Sequence, residues 1–253
     1  MTVMLVVLSA AAEAGAMQWP DPKGEVWIMP PEPDGLASHL NTHPSSAVVV
    51  LTQVWDVRAA RLAVTVAVGA HPATRFALRA ASASVLALAA VGRQAAHATT
   101  EPADVVRLVD EQLGRTVSGA WLRRVSNLHE PAPSLWQRLR SMLPGGPGFV
   151  ATFGADQQVT SAPVAVPPHA TLLVAATDPQ PAARLIGRSD AIAVAPPVSA
   201  ERAYGSPGAE FVALVQPPVL APARAVCRVC GQGGDGPFCQ FCHIVLTGQE
   251  VAA

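Results

Sequence analysis

The sequence has little of several features that particular classes of protein require. Lys23 is the only lysine among 17 basic residues, and the formal net charge is −1. Nucleic acids and anionic membranes attract proteins through an excess of lysine and arginine, so this balance excludes a global attraction of that kind. A P-loop needs its lysine directly after glycine, whereas Lys23 follows Pro22, which excludes a nucleotide site of this type.

Long apolar runs are also missing. The apolar segments 62–70 and 80–92 fall short of the roughly 20 residues that cross a bilayer, and the uncharged stretch 157–177 is interrupted by three prolines. The apolar beginning of the chain has no positive charge before it, which favours a buried strand over a signal peptide. We therefore predict a cytoplasmic protein with no membrane span.

Short catalytic signatures are absent from the sequence as well. Neither the GxSxG pattern of serine hydrolases nor the HExxH pattern of metalloproteases occurs. An enzyme would have to gather its catalytic groups from separate elements, and we place such an unrecognised site in the first domain as one functional alternative.

The sequence does contain enough apolar residues for a sizeable core, since 50% of its residues are hydrophobic. Its 24 prolines divide the chain into short elements. The pattern predicts an α/β or α+β N-terminal domain at 1–143 and a small β-rich domain at 149–216. A third segment at 225–247 holds the cysteines. The boundary between the first two is the segment PGGPG at 144–148, which cannot continue a helix.

The first domain mixes strand and helix patterns. TVMLVVL and AVVVLTQV are continuous in hydrophobicity, which is typical of strands covered on both faces. Asp56 can cap a helix that follows it, although alternating residues there also suit a strand. Pro72 opens a single predicted helix over 72–96. A later helix begins with the capping box Ser134 and Gln137, and we predict that its apolar residues and Trp136 face the core.

All four cysteines lie within 17 residues in two CxxC pairs, Cys227 with Cys230 and Cys239 with Cys242. Two such turns can complete a tetrahedron of thiolates around one metal ion, which predicts one structural zinc per chain. Iron uses the same ligands, and a redox pair is a further alternative. Disulfides are disfavoured because the chain shows no secretory signal and no cysteine outside this cluster.

The segment CRVCGQGGDGPFCQFCH resembles the short four-cysteine zinc-ribbon modules that are appended to many bacterial proteins. The resemblance covers residues 226–246 only. Gly231 matches the glycine that follows the first pair in that family, whereas His243 stands where a second glycine is usual. The resemblance implies a structural zinc, and the departure makes His243 a candidate substitute ligand.

These features predict a non-enzymatic zinc-binding cytoplasmic adaptor or scaffold. In this hypothesis the cysteine segment, carried on the stiff linker PPVLAPAR at 217–224, engages a partner protein or an assembly. The alternative is a nucleic-acid-binding regulator that uses the segment with a basic cluster and interleaved tryptophans. The cluster consists of Arg115, Arg123, Arg124, Arg138 and Arg140.

Overall fold

The computed structural model describes residues 3–20, 26–128, 130–143, 148–176 and 178–246. Its first sheet has five strands in the order β2-β3-β1-β4-β5, in which β2 is antiparallel and the others are parallel. These strands are β1 (Val3–Leu8), β2 (Met17–Trp19), β3 (Val26–Met29), β4 (Ala47–Gln53) and β5 (Arg75–Ala81). All seven residues of β4 are buried, as a strand covered on both faces requires.

Helices cover both faces of this sheet. They are α1 (Gly35–Thr42), α2 (Val57–Ala70), α3 (Val85–Ala98) and α4 (Pro102–Leu113). Helices α1 and α2 pack on one face against Val6 and Val50, and α3 and α4 pack on the other against Leu5 and Val49. Side chains alternate between the faces of a strand, so each strand serves both layers. The predicted α/β architecture is confirmed.

Residues 72–96 form a strand, a turn and a helix, so the prediction of one helix there is wrong. β5 pairs in parallel register with β4 along seven residues, from Arg75 opposite Ala47 to Ala81 opposite Gln53. The hydroxyl of Ser84 then caps α3 by accepting a hydrogen bond from the amide of Ala87 at 3.1 Å. Pairing at the sheet edge overrides the helix propensity of these alanine-rich residues.

The second sheet has six strands in the order β10-β9-β11-β6-β7-β8. They are β6 (Val117–Leu122), β7 (Phe149–Phe153), β8 (Gln158–Thr160), β9 (Thr171–Ala175), β10 (Ile192–Val194) and β11 (Gly208–Leu214). Its three helices are α5 (Leu135–Ser141), α6 (Gln180–Ile186) and α7 (Ala200–Tyr204). β9 and β10 are parallel and the other pairs are antiparallel.

The second sheet contains strands from both sides of the predicted boundary between the segments 1–143 and 149–216. β6 precedes that boundary, yet it lies between β7 and β11 with full antiparallel ladders on both edges. Of the proline-glycine segment that suggested the boundary, 144–147 lie outside the described residues. A loop that breaks a helix can return the chain to the same sheet, and the prolines and glycines of such a loop do not show whether it does.

The two sheets share one core across α3. Val212 on β11 belongs to the same buried cluster as Leu5 on β1 and Leu86 on α3. The amide nitrogens of Gln94 and Gln112 both donate to the carbonyl oxygen of Val215, at 3.1 and 2.6 Å. The contacts across α3 hold the end of β11 against the first layer.

Helix α5 turns its apolar side chains outward, contrary to the prediction. Its capping box is present, and the side-chain amide of Gln137 donates to the carbonyl oxygen of Val159 at 2.6 Å, which fixes the helix on the second sheet. Trp136 is 73% exposed, whereas Trp19 is 2% exposed. The predicted core-facing residues are also exposed: Leu135, Leu139 and Met142. Periodicity identified the apolar face of this helix but not the side on which it packs.

Among the described residues, no helix has both the length and the hydropathy that a membrane-crossing helix needs.

Candidate functional site

The first candidate site is the edge of the first sheet where β1 and β4 end. The chain leaves β1 toward β3 on one side and leaves β4 toward β5 on the other, so the adjacent strands β1 and β4 form a topological switch point. Ligands of open α/β sheets bind in the crevice outside the carboxyl ends of such strands. Here the crevice faces the second sheet, because the amino end of α3 contacts β11 at this edge.

Polar side chains converge at this edge, and those of Ser9 and Gln53 are buried. Ser9 follows β1 and its hydroxyl donates to Oε1 of Gln53 at 3.4 Å, while Nε2 of Gln53 donates to the carbonyl oxygen of Ala83 at 2.9 Å. Asp56 precedes α2, and its Oδ2 accepts from the amide of Ala10 at 3.0 Å. Burial raises the pKa of the Asp56 carboxyl. These contacts tie the ends of β1, β4 and β5 together.

A carboxylate from the second sheet occupies the amino end of α3. The two carboxylate oxygens of Glu210 accept from the amides of Val85 at 3.1 Å and Leu86 at 2.7 Å, and the hydroxyl of Tyr204 donates to the same carboxylate. Glu210 is 1% exposed. Burial raises its pKa to about 7, against the opposing effect of these hydrogen bonds. Burial and the neighbouring Glu210 also raise the pKa of Tyr204 well above its ordinary value.

Beside Tyr204 lies a cavity of about 520 Å³, a volume within the range of small-molecule sites. The loops after β4 and β6 and helix α7 line it, and it opens to solvent. Its lining consists of Trp55, Asn127, Leu128, Glu130, Arg202, Ala203, Tyr204 and Gly205. Phe153 connects its aromatic side chains, with ring centroids 6.0 Å from Trp55 and 5.7 Å from Tyr204. The cavity therefore has an apolar, aromatic wall and a charged rim.

The apolar wall continues along the inner face of the second sheet. That face carries a buried cluster formed mainly by β6, β7 and α7, and Leu128 and Tyr204 belong both to it and to the cavity lining. At the rim, the guanidinium of Arg202 lies 4.0 Å from the carboxylate of Glu13; the Arg202 side chain is 49% exposed and that of Glu13 is 89% exposed. A ligand with a long apolar part and a polar end matches this distribution.

The cysteine segment is the second candidate site. Cys227, Cys230, Cys239 and Cys242 are free thiols whose sulfurs all lie within 4.8 Å of one another. His243 is exposed and lies in the turn after the second pair. Four thiolates are a ligand set that zinc and iron share, so zinc stays a prediction here.

The cysteine segment lies against α4 and does not extend on a free linker. Arg107 of α4 contacts Asp235 at 2.6 Å and the carbonyl oxygen of Ala221 at 2.6 Å, while Gln232 accepts from the amide of Ala103 at 3.0 Å. The proline-rich linker therefore leads to a module that is fixed on the first layer.

The predicted basic cluster does not form one surface. Arg115 precedes β6 and Arg123 and Arg124 follow it, so about 20 Å of strand separates them at about 3.3 Å per residue. Arg138 lies on α5, and all of these arginines are exposed. Trp121 lies partly buried in β6, whereas Trp136 is exposed on α5.

No protein-family model matches the chain, and no curated protein matches it. Solved structures do match its fold. A DegV family protein from Eubacterium eligens loaded with heptadecanoic acid has a TM-score of 0.58 and 10% identity, with 85% of this chain and 100% of that chain covered. The Streptococcus pneumoniae fatty acid kinase (Fak) B3 protein loaded with linoleic acid has a TM-score of 0.56 and 11% identity over the same shares.

A third match is a fatty-acid-binding DegV family protein from Thermus thermophilus, with a TM-score of 0.52 and 13% identity. It covers 85% of this chain and 99% of that chain. At these identities the comparison establishes a common fold, which extends over both sheets of the present chain.

The predicted zinc-binding adaptor or scaffold is wrong. Two of these three solved structures are loaded with fatty acids and the third is a fatty-acid-binding protein, and the cysteine segment that was predicted to engage a partner packs on α4. The residues at the crevice escaped prediction because they are distant in sequence. One signal was available: Glu210 is a lone acid in an otherwise apolar strand, and such a residue is buried only with partners.

Proposed function

We propose that this chain binds one long-chain fatty acid in the cavity beside Trp55, Leu128 and Tyr204. The observation that carries the proposal is an apolar, aromatic cavity of about 520 Å³ at the crevice of the sheet, between two layers whose fold matches proteins loaded with fatty acids. The acyl chain lies against the aromatic wall of this cavity.

Burial of the acyl chain supplies the affinity. Each methylene group removed from water contributes about 0.8 kcal/mol, so ten of them contribute about 8 kcal/mol. That value corresponds to a Kd of about 1 μM before the costs of ordering the ligand are subtracted. Affinity should therefore rise with chain length until the cavity is full.

The carboxylate end of the ligand pairs with a basic side chain and not with the amino end of a helix. The amino end of a helix ordinarily attracts an anion, but Glu210 already occupies the amino end of α3. Among the described residues that line the cavity, Arg202 is the one basic side chain. Its partner Glu13 lies 4.0 Å away at the surface, so Arg202 can exchange this weak ion pair for the ligand carboxylate.

Calorimetric titration of the delipidated chain with palmitate tests the proposal. Ala203→Trp fills the cavity and is expected to weaken binding at least tenfold. Val68→Trp adds the same side chain at a 46% exposed position near the far end of α2 and should bind as the native chain does. Absence of binding to the native chain, or equal binding to a folded Ala203→Trp chain, would refute the proposal.

The role of Arg202 has its own control. Arg202→Ala should weaken binding of palmitate severalfold and leave binding of the uncharged alcohol of the same length unchanged, because only the acid offers a charge to pair. Equal losses for both ligands would show that Arg202 acts through packing. A protein partner and a cytoplasmic location stay predictions from the sequence.

A further inference from the structure

The four cysteine sulfurs have the spacing that one tetrahedral ion requires. A metal-sulfur distance of about 2.3 Å places the sulfurs of a four-thiolate site about 3.8 Å apart. The sulfurs of Cys230 and Cys239 are 3.5 Å apart, and all four lie within 4.8 Å of one another. A disulfide needs about 2.05 Å, so the Cys230 and Cys239 sulfurs are neighbours without a bond.

The backbone around the two pairs repeats the same turn. In the first turn the amide of Cys227 donates to the carbonyl oxygen of Gln232 at 2.9 Å. The amide of Gly231 donates to the carbonyl oxygen of Cys227 at 2.8 Å. The second turn has the same two bonds twelve residues later, from Cys239 to Ile244 at 2.8 Å and from His243 to Cys239 at 2.9 Å. Two equivalent turns present two pairs of thiolates to one point.

The repeated turn also explains His243. Gly231 has φ +73° and His243 has φ +56°, so both occupy the left-handed region at equivalent positions. A residue other than glycine is uncommon there, although histidine is among the more tolerant types. The side chain of His243 is exposed while the four sulfurs already form a complete set. His243 therefore serves as a turn residue and not as a substitute ligand.

The apolar core of the module itself is small. Among the described residues, its apolar cluster contains two buried cysteines together with Ala225, which is 9% exposed, and Leu246, which is 8% exposed. Segments of this size need a metal or disulfides, because their apolar core is too small. The cysteines are free thiols, so a metal bound by them would add to the contacts with α4 in holding the module.

The first turn also delivers a cap to α4. Gln232 directly follows Gly231, is 7% exposed and accepts from the amide of Ala103 in the first turn of α4 at 3.0 Å. Asp235 accepts from Arg107 at 2.6 Å and from the amide of Arg224 at 3.1 Å. The amide of Ala103 has no intrahelical partner by geometry, so its hydrogen bond depends on the position of the module.

We infer that the four cysteines bind one zinc ion in a closed, structural site, and that this ion fixes the cap that Gln232 places on α4. A four-thiolate site leaves no open coordination position, so it stabilises the fold and performs no reaction. The site is separate from the fatty acid cavity, which lies at the end of the first sheet beyond α3.

Metal analysis of the full chain tests the ligand set. The native chain should contain one zinc, and Cys227→Ser with Cys239→Ser should contain none. His243→Gly, which keeps the left-handed turn, should retain one zinc. A native chain without zinc, with disulfides, or with iron and its visible absorbance would overturn the site, and so would loss of zinc in the His243→Gly chain.

X-ray absorption of the zinc-loaded native chain separates ligation from folding. Four sulfur neighbours at about 2.3 Å are expected. A first shell that contains nitrogen or oxygen would contradict the four-thiolate site, whatever the cysteine variants do.

Hydrogen exchange of the full chain tests the connection to α4. Removal of zinc by a chelator should accelerate exchange of the Ala103 amide at least tenfold. The amides of Val85 and Leu86, which Glu210 holds, provide the internal control and should keep their rates. Unchanged exchange at Ala103 after complete zinc removal would contradict the capping role.

Discussion

The crevice is built from contacts between residues far apart in the sequence, whereas the cysteine module is built from contacts between residues close together in the sequence. At the crevice, Glu210 meets Val85 across 125 positions of sequence and Ser9 meets Gln53 across 44. In the module, all four sulfurs come from 227–242, and the turns that hold them span six residues each, 227–232 and 239–244. The crevice therefore requires both sheets to be folded, whereas the four thiols of the module come from one short segment, and we expect the two to respond differently to the same kind of perturbation.

Within the crevice and the module, the largest effect is expected from Glu210→Ala. The change leaves two amides and the Tyr204 hydroxyl buried beside an empty volume, and each such group costs about 1 to 3 kcal/mol. We expect a loss of about 3 to 5 kcal/mol in the free energy of unfolding, measured by urea denaturation.

Zinc content provides the control for that experiment, since the module should stay loaded in the folded Glu210→Ala chain. A loss below about 1 kcal/mol would show that the carboxylate does not organise the crevice.

The pH dependence of stability should reveal the titration of the Glu210 carboxyl. Burial raises the pKa of Glu210 to about 7 from 4.5, so between these values the folded chain holds a proton that the unfolded chain has lost. This stabilising contribution is complete below about pH 4.5 and disappears as the pH rises through about 7. We expect a loss of about 1 to 3 kcal/mol across that range.

Glu210→Gln isolates this contribution. Subtracting the pH profile of the variant from that of the native chain cancels the contributions of the other titrating groups. The most important of these is His39, whose pKa burial and His43 lower to about 4, so that its contribution to stability rises with pH over part of the same range. Equal pH profiles for the native and Glu210→Gln chains would contradict the raised pKa of Glu210.

A smaller effect is expected at the junction between the module and α4. Gln232→Ala removes the acceptor for the Ala103 amide, and loss of a helix cap costs about 1 kcal/mol. Thermal unfolding of the zinc-loaded chain should show this loss with zinc content unchanged. Loss of zinc together with the cap would show that the cap holds the module and not the reverse.

The smallest effect is expected at α5. Trp136 is 73% exposed, so Trp136→Ala should change stability by less than about 0.5 kcal/mol. Trp19 is 2% exposed and its indole donates to the carbonyl oxygen of Ala195 at 2.8 Å, so Trp19→Ala should cost about 3 to 5 kcal/mol. Similar losses from the two variants would mean that α5 packs through its apolar face after all.

The same difference in range separates what could be predicted from what could not. The buried strands β1 and β4 and the grouping of the cysteines follow from short patterns, and the structure places them accordingly. The placement of β6 in the second sheet depends on pairing with β7 and β11, which no local pattern records. Likewise, the periodicity of 135–143 shows an apolar face but does not indicate that Ser141 and Gln137 face the protein.

Native mass spectrometry of the full chain with excess linoleate tests the central claim, which is that the cavity holds one fatty acid. The native chain should carry one fatty acid and one zinc. Ala203→Trp should lose the lipid and keep the metal, and Cys227→Ser with Cys239→Ser should lose the metal and keep the lipid. A native chain that binds zinc but never binds a fatty acid would contradict the proposed function and leave the metal site intact.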